Sequence, residues 1–152
     1  MTAVNFSVQW IFANVKTANQ LHGRALETGY EHTGLPLWTI KAKHSGCMLP
    51  GKLAVNDCAW VPYYGGEHKV SEFEVLCVDA DKVEWVTCRN GDVPPKAIPG
   101  GNNADGEILY IGRVKHRGSL TPGKVQPSHH CLYISWGGSE HKYSDCKILC
   151  LK

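Results

Sequence analysis

The sequence predicts an all-β fold built from two tandem repeats, which form a pseudo-twofold pair of small antiparallel sheets with a shared core. Three observations predict it. Apolar and polar residues alternate at strand spacing, the 152 residues include 16 Gly and 8 Pro, and one half of the chain repeats the other. No convincing helical stripe runs over eleven residues, so we expect Ala25–Tyr30 to form one helical turn at most.

The strand-like segments are separated by dipeptides and tripeptides that are typical of turns. These turn signals are Asn90-Gly91, Pro94-Pro95, Pro99–Gly101, Asp105-Gly106 and Pro122-Gly123. In chain order, the predicted strands are Ser7–Asn14, Leu37–Lys43, Ala59–Tyr63, Phe73–Asp79, Lys82–Arg89, Ile108–Lys115, Leu132–Trp136 and Lys147–Leu151.

The repeat divides the chain into residues 1–79 and 80–152. The first half carries three extra residues near Lys16 to Arg24, and one residue is inserted in the second half after its glycine pair. The matching segments, first half before second, are Lys43–Gly46 with Lys115–Gly118, Pro50–Lys52 with Pro122–Lys124, Gly65-Gly66 with Gly137-Gly138, and Glu67–Lys69 with Glu140–Lys142.

The two halves are expected to form one compact unit. A repeat of about 72 residues buries little of its own surface, so sharing a core is the economical solution. The joint Asp79–Lys82 is a tight turn without a Ser/Gly linker. The terminal strand of one repeat is expected to complete the sheet of the other.

Composition and charge exclude several classes of protein. A formal net charge of +2 is too small for the phosphate-tracking surface of a non-specific nucleic-acid binder, and no basic amphipathic stretch suits a membrane surface. No apolar run reaches the roughly 18 residues that membrane insertion needs. The first fifteen residues contain no Lys or Arg, so we expect no signal peptide, a cytoplasmic location and, for any release, a non-classical route.

The cysteines fit a reducing compartment. Seven is an odd number, and no tandem Cys-x-x-Cys pairs occur. We expect free, mostly buried thiols; a partial disulfide set or an intermolecular bridge is the alternative.

One ordered run of motifs carries a family resemblance. Asp105-Gly106, Tyr110–Arg113, Pro122–Val125 and Gly137-Gly138 follow one another in the second half. This run closely resembles the DM-nine repeat family of invertebrates, which includes mannose-binding lectins. The resemblance covers essentially the whole chain and is strongest from Trp85 to Cys150. It implies a homodimer and calcium-independent recognition of mannose-type glycans in innate immunity, with no cofactor and no enzymatic activity.

The resemblance also implies the sugar-binding residues. In the family, an acidic residue two positions before the Asp-Gly aspartate and the lysine of Pro-Gly-Lys hold the sugar. These positions are Glu31 with Lys52 in the first half and Asn103 with Lys124 in the second, 21 residues apart in both cases. Family members with this activity typically carry Asp at the acidic position. The first site keeps a carboxylate and the second does not, so the sequence ranks the Glu31 site as the stronger. The alternative is that the longer arm of Glu31 carries its carboxylate past the sugar, which leaves Asn103, in its better-preserved frame, as the working site.

The residue types suit a sugar independently of the family. A carboxylate accepts hydrogen bonds from vicinal hydroxyls, an ammonium donates to their oxygens, and an aromatic ring packs on the C–H face. Asp105 is a further candidate, although shaping the Asp-Gly turn is its simpler role. The candidate aromatic residues, most of which are expected in the core, are Tyr30, Trp38, Tyr63, Tyr64, Tyr110, Tyr133 and Trp136.

Other interpretations stay open. Lys52 and Lys124 could simply solvate strands after Pro-Gly turns, and Glu31 and Asn103 could bond their own backbone. The Lys-His and Glu-His-Lys repeats are interpreted as exposed polar residues at strand ends. A protein-interaction or stress-response module with decayed sugar sites is the alternative function. A redox- or metal-linked protein using the group His129–Cys131 is the third.

Overall fold

The computed structural model describes residues 8–152, and they form a nearly all-β fold, which confirms the predicted class. Short 3-10 helices cover Ala18–Leu21, Ala80–Lys82 and Pro127–His129. The fourteen strands are β1 Gln9–Asn14, β2 Glu27–Tyr30, β3 Pro36–His44, β4 Cys47–Ala54, β5 Ala59–Tyr63, β6 Gly66–Val70, β7 Glu72–Cys77, β8 Val83–Arg89, β9 Pro99–Asn102, β10 Ile108–His116, β11 Ser119–Gln126, β12 Cys131–Trp136, β13 Ser139–Tyr143 and β14 Asp145–Leu151.

All eight predicted strands have an observed counterpart, but six further strands were not predicted. The start of the first prediction, Ser7, lies outside the described residues. The missed strands are β2, β4, β6, β9, β11 and β13. Three of these, β4, β9 and β11, contain Pro-Gly, β2 has one glycine among polar residues and a tyrosine, and β6 and β13 are mostly polar. Each therefore lacks the apolar alternation that signals a strand. The helical turn allowed for Ala25–Tyr30 is wrong, because β2 occupies most of that segment.

The predicted Pro122-Gly123 turn is wrong as well, because both Pro-Gly pairs lie inside strands β4 and β11. A Cβ on Gly51 would meet the carbonyl oxygen of Trp60 at 2.2 Å, and one on Gly123 would meet that of Tyr133 at 2.1 Å. Glycine is needed here for close backbone approach to the next strand rather than for a turn. Lys52 and Lys124 are consequently residues of strand interiors.

The strands form one continuous sheet, part of which closes on itself. Neighbouring strands follow the order β1-β7-β3-β2-β11-β12-β13-β6-β5-β4-β9-β10-β14-β8. A further pairing of β3 with β4 closes the run from β3 to β4 into a barrel of eight strands. The strands outside this run extend the sheet from its two ends.

Three pairings join the two halves: β2 with β11, β4 with β9, and β6 with β13. The terminal strands instead pair within their own half, β7 with β1 and β3, and β14 with β8 and β10. The predicted exchange of terminal strands is therefore wrong. Short internal strands make the connection.

The apolar core has three clusters. One lies mainly in the first half around Ile40 and Val61, and another lies in the second half around Leu132 and Ile148. The third takes residues from both halves, including Leu76 with Leu149. Burial in this third cluster joins the halves through side chains as well as backbone.

The strand register corrects the predicted position of the residue that is inserted in the second half. Lys52 lies opposite Trp60, and Lys124 lies opposite Tyr133. The extra residue of the second half is thus in the loop between β11 and β12, before the glycine pair rather than after it. Gly65 consequently corresponds to Gly138.

Candidate functional site

Two lysine–glutamate ion pairs connect the Pro-Gly strands to the polar strands. The Lys52 Nζ lies 3.4 Å from the Glu67 Oε2, and the Lys124 Nζ lies 3.5 Å from the Glu140 Oε2. All four side chains are at most 9% exposed, so the expectation that the Glu-His-Lys segments are simply exposed is wrong for these glutamates. Charges this far from water need further hydrogen bonds.

Each glutamate finds that hydrogen bond in the opposite half of the chain. The Gly138 backbone N–H donates to the Glu67 Oε1 at 2.9 Å, and the Gly65 backbone N–H donates to the Glu140 Oε1 at 3.0 Å. The strands β6 and β13 also pair at Gly66 and Ser139. The two ion pairs therefore hold the two hairpin turns in place at this junction.

The first candidate site, called the Tyr63 site, comprises Tyr63, His44, His68, Lys124 and Glu140. The His44 ring centroid lies 5.0 Å from that of Tyr63 and 4.5 Å from that of His68. The Lys124 Nζ lies 5.4 Å from the centroid of the Tyr63 ring, a cation–π contact. The aromatic side chains come from the first half and the ion pair from the second.

The second, the Trp136 site, comprises Trp136, His116, His141, Lys52 and Glu67, with the halves exchanged. The His116 ring centroid lies 5.0 Å from that of Trp136 and 4.6 Å from that of His141. The sequence-based pairing of residues within one half overlooked this combination.

His116 is buried and His44 is half-buried, and both environments disfavour a charge. Burial, and then the neighbouring charges of His68 and Lys124, lower the pKa of His44 below its ordinary value of 6.5. Burial lowers the pKa of His116 in the same way, with further contributions from His141, Arg117 and Lys52. Both rings therefore resist protonation more than an ordinary histidine does, and each lies near a lysine ammonium, that of Lys124 for His44 and that of Lys52 for His116.

These shifts predict a loss of stability in mild acid. Below about pH 6.5 the unfolded chain takes up protons that the folded His44 and His116 resist, so the free energy of unfolding falls with pH. We expect the melting temperature to decrease from pH 7.5 to 5.5, and less steeply in His116→Gln. An unchanged slope in His116→Gln contradicts the prediction.

Glu31 does not contact Lys52, its predicted partner. Among residues 8–152, the only carboxylate within 4.0 Å of the Lys52 ammonium is that of Glu67. Glu31 begins a turn after β2, in which its N–H donates to the Leu35 oxygen at 2.8 Å. A Cβ on Gly118 would lie 3.5 Å from the Cβ of the adjacent His32. Glu31 is therefore placed beside the β10–β11 hairpin, which also carries His116.

Asn103 occupies the equivalent turn of the second half and is held by Glu107. Its Nδ2 donates to the Glu107 Oε1 at 3.0 Å, and Ser128 donates both its N–H and its hydroxyl to the same carboxylate. Burial opposes the charge of Glu107, but these hydrogen bonds outweigh it and hold the pKa of Glu107 below its ordinary value. The Asp105 Oδ1 accepts the Glu107 N–H at 3.1 Å, as its turn-shaping role requires.

A cleft lies next to the Asn103 turn. Its volume is about 420 Å³, and its lining includes His44 of the Tyr63 site together with Met48 and Asn102. This volume falls within the range of small-molecule sites, roughly 300–1,000 Å³. The Glu140 Oε2 of the Tyr63 site is buried, and its partner is the Lys124 ammonium at 3.5 Å.

Comparison with known proteins identifies the family of this chain. The family model of the DM9 repeat matches residues 31–143. The chain belongs to the DM9 repeat family. The matched range contains all ten residues of the Tyr63 and Trp136 sites.

Relatives of this DM9 protein are larger. Natterin-4 of Thalassophryne nattereri is 31% identical over 108 residues, which is 69% of this chain and 24% of natterin-4. Natterin-1 of the same species is 32% identical over 82 residues, 52% of this chain and 21% of natterin-1. The nematode sperm cell motility protein MFP2B shares the fold with a TM-score of 0.64 at 15% identity, and the match covers 100% of this chain and 48% of that one. The DM9 chain thus spans about a quarter or less of the natterin sequences.

Sequence reasoning missed the acidic partners and the histidines of this DM9 chain. A signal for them was present, because Lys-His-x-Gly and Glu-His-Lys recur in both halves. Their polarity and their position near turns favoured an exposed interpretation. The recurrence itself was the better guide.

The His129–Cys131 group shows no metal-site geometry. Within the described part of the chain, no three His, Cys, Asp or Glu side chains converge as metal ligands would. The Nδ1 of His129 forms a hydrogen bond of 2.8 Å with the Tyr133 hydroxyl.

The seven cysteines are free, and six of them are buried. In residues 8–152 no helix has the length and apolar character that crossing a membrane requires.

Proposed function

We propose that this DM9 chain is a carbohydrate-binding module with one sugar site at each lysine–glutamate pair, and that it recognises mannose-type glycans without calcium. The observation that carries the proposal is the twofold occurrence of a nearly buried lysine–glutamate pair near a cluster of one aromatic ring and two histidines from the other half. Lys124 contacts Tyr63, and Lys52 lies near enough to His116 to lower its pKa. A residue set that recurs in both halves is consistent with a shared role, and the set matches sugar chemistry.

In each site the groups divide the tasks of holding a hexose. The Lys124 ammonium donates to sugar oxygens, and the Glu140 carboxylate accepts from a sugar hydroxyl; bonds of this charge-assisted kind are the stronger ones. The face of Tyr63 packs against sugar C–H groups. Lys52, Glu67 and Trp136 perform the same tasks in the other site. Glu31 and Asn103, which lie beside the hairpins of the two sites, bind more distant hydroxyls.

We further propose that the two halves form a pseudo-twofold pair and that two chains form a homodimer. The strand order supports the first point, because every strand of the first half and its counterpart occupy mirror positions in it. Two sites per chain, doubled in a dimer, raise the avidity for clustered glycans above the affinity of one site.

Titration of the ¹⁵N-labelled protein with methyl α-mannoside tests the proposal. The backbone amides of Gly65 and Gly138 report the two sites separately, since each donates to the glutamate of one site. We expect both signals to shift in a saturable manner, equally with and without a calcium chelator. Methyl α-galactoside should shift them less. Saturation by neither sugar contradicts the carbohydrate function and favours a protein-interaction module.

A further inference from the structure

We infer that Tyr64 provides a second sugar subsite, so that the Tyr63 site binds a glycan of at least two residues while the Trp136 site binds one. The inference rests on the proposed carbohydrate function and deepens it. The argument comes from the exposure of Tyr64, its backbone conformation and its position beside Tyr63.

Tyr64 is the most exposed large hydrophobic side chain among residues 8–152, at 91% of its maximum. At this exposure the ring buries little apolar surface, so its contribution to the core is small. Exposure alone does not indicate a ligand; the backbone conformation and the position of the ring do.

The backbone at Tyr64 is unfavourable for a tyrosine. Its φ is +52°, in the left-handed region that disfavours bulky side chains. Tyr64 and Gly65 form the two-residue turn between paired Tyr63 and Gly66, a position for which Asn or Gly is preferred. The equivalent turn of the second half uses Gly137 and Gly138, both at positive φ. The fold accepts glycine at this position, but the first half holds an aromatic ring there.

The ring is positioned as an extension of the Tyr63 site. The Tyr64 and Tyr63 rings stack with centroids 5.4 Å apart and an interplanar angle of 23°. Tyr63 in turn contacts the ammonium of Lys124. A sugar bound by Lys124 and Glu140 is thus next to the ring of Tyr64, which its stacking on Tyr63 partly immobilises. The ring of a second sugar can pack on the face of Tyr64. The Trp136 site has no such face, because Gly137 replaces the tyrosine.

The experiment compares methyl α-mannoside with α-mannobiose at the two sites. In the wild type we expect the Tyr63 site, followed by the Lys124 amide, to bind the disaccharide about three- to tenfold more tightly than the monosaccharide. Tyr64→Gly should abolish this preference and leave the monosaccharide affinity within about twofold. Tyr64→Phe, which retains the ring, should keep the preference.

The reciprocal variant Gly137→Tyr should create a disaccharide preference at the Trp136 site, followed by the Lys52 amide. Tyr64→Gly should not lower the melting temperature, since glycine adopts positive φ without strain. Equal losses for both sugars in Tyr64→Gly, or no disaccharide preference in the wild type, overturn the inference while the carbohydrate function stands. If neither sugar binds the wild type, both proposals fail.

Discussion

Glu140→Gln is expected to destabilise the protein by about 3 kcal/mol, within the range for breaking a buried ion pair. Glutamine keeps the size and the acceptor for the Gly65 N–H but leaves the Lys124 charge without its counter-ion. Burial already lowers the pKa of Lys124, and Glu140 is the largest influence that raises it. The uncompensated charge, rather than a lost contact, accounts for most of the expected loss.

Denaturant unfolding of a double-mutant cycle measures this effect. Lys124→Met should also destabilise the protein, whereas Lys124→Met combined with Glu140→Gln should recover much of the loss, because no buried charge remains. Lys147→Met is a matched control: Lys147 is exposed and, within residues 8–152, donates only to Thr87, so its change should stay within about 0.5 kcal/mol.

The pH dependence gives the cycle a second readout. Without Glu140 the pKa of Lys124 falls further, so the folded state of Glu140→Gln binds fewer protons than the unfolded state at alkaline pH. Its stability should therefore recover in part from pH 7 to pH 9. Additive single effects with no recovery at high pH would show that the pair does not act as a buried ion pair.

Lys124→Met is also expected to lower the affinity of the Tyr63 site for methyl α-mannoside by roughly ten- to more than a hundredfold, since a charge-assisted hydrogen bond contributes on the order of 1.5–3 kcal/mol. The corresponding loss for Lys52→Met at the Trp136 site should be smaller. The Tyr63 site has the adjacent cleft, which is lined by its His44 and gives a sugar further contacts there.

Both lysine variants are titrated well below their melting temperatures, and the amide signals of the unmutated site serve as an internal control. Each variant should leave the affinity of the other site unchanged. Equal losses for the two lysines would refute the ranking of the sites. Unchanged affinity in both variants would remove these lysines from sugar binding.

This ranking reverses the one that the sequence favoured, for a structural reason. The sequence placed the stronger site at Lys52 because Glu31 keeps a carboxylate that Asn103 lacks. In the structure, each lysine already has a carboxylate, from Glu67 or Glu140. The difference between Glu31 and Asn103 therefore no longer decides which site is charged.

The sequence by itself determined the fold class, the family and eight of the fourteen strands. These features depend on local alternation, on turn residues and on self-similarity, all of which are visible along one chain. It also identified Lys52 and Lys124 as the residues to examine, although it placed them after turns. The polar strands β6 and β13 were not predicted, because a strand whose inward side chains are charged lacks the apolar alternation that indicates a strand.

Only the tertiary structure decided what surrounds the lysines. Glu140 lies sixteen residues after Lys124 in the sequence, and Gly65 lies fifty-nine residues before Lys124. Closure of the barrel and the pairing of β6 with β13 nevertheless bring all three residues together. The same closure places aromatic residues of one half beside the ion pair of the other. Such contacts depend on which strands become neighbours, and long-range pairing is a property of the whole sheet rather than of any segment.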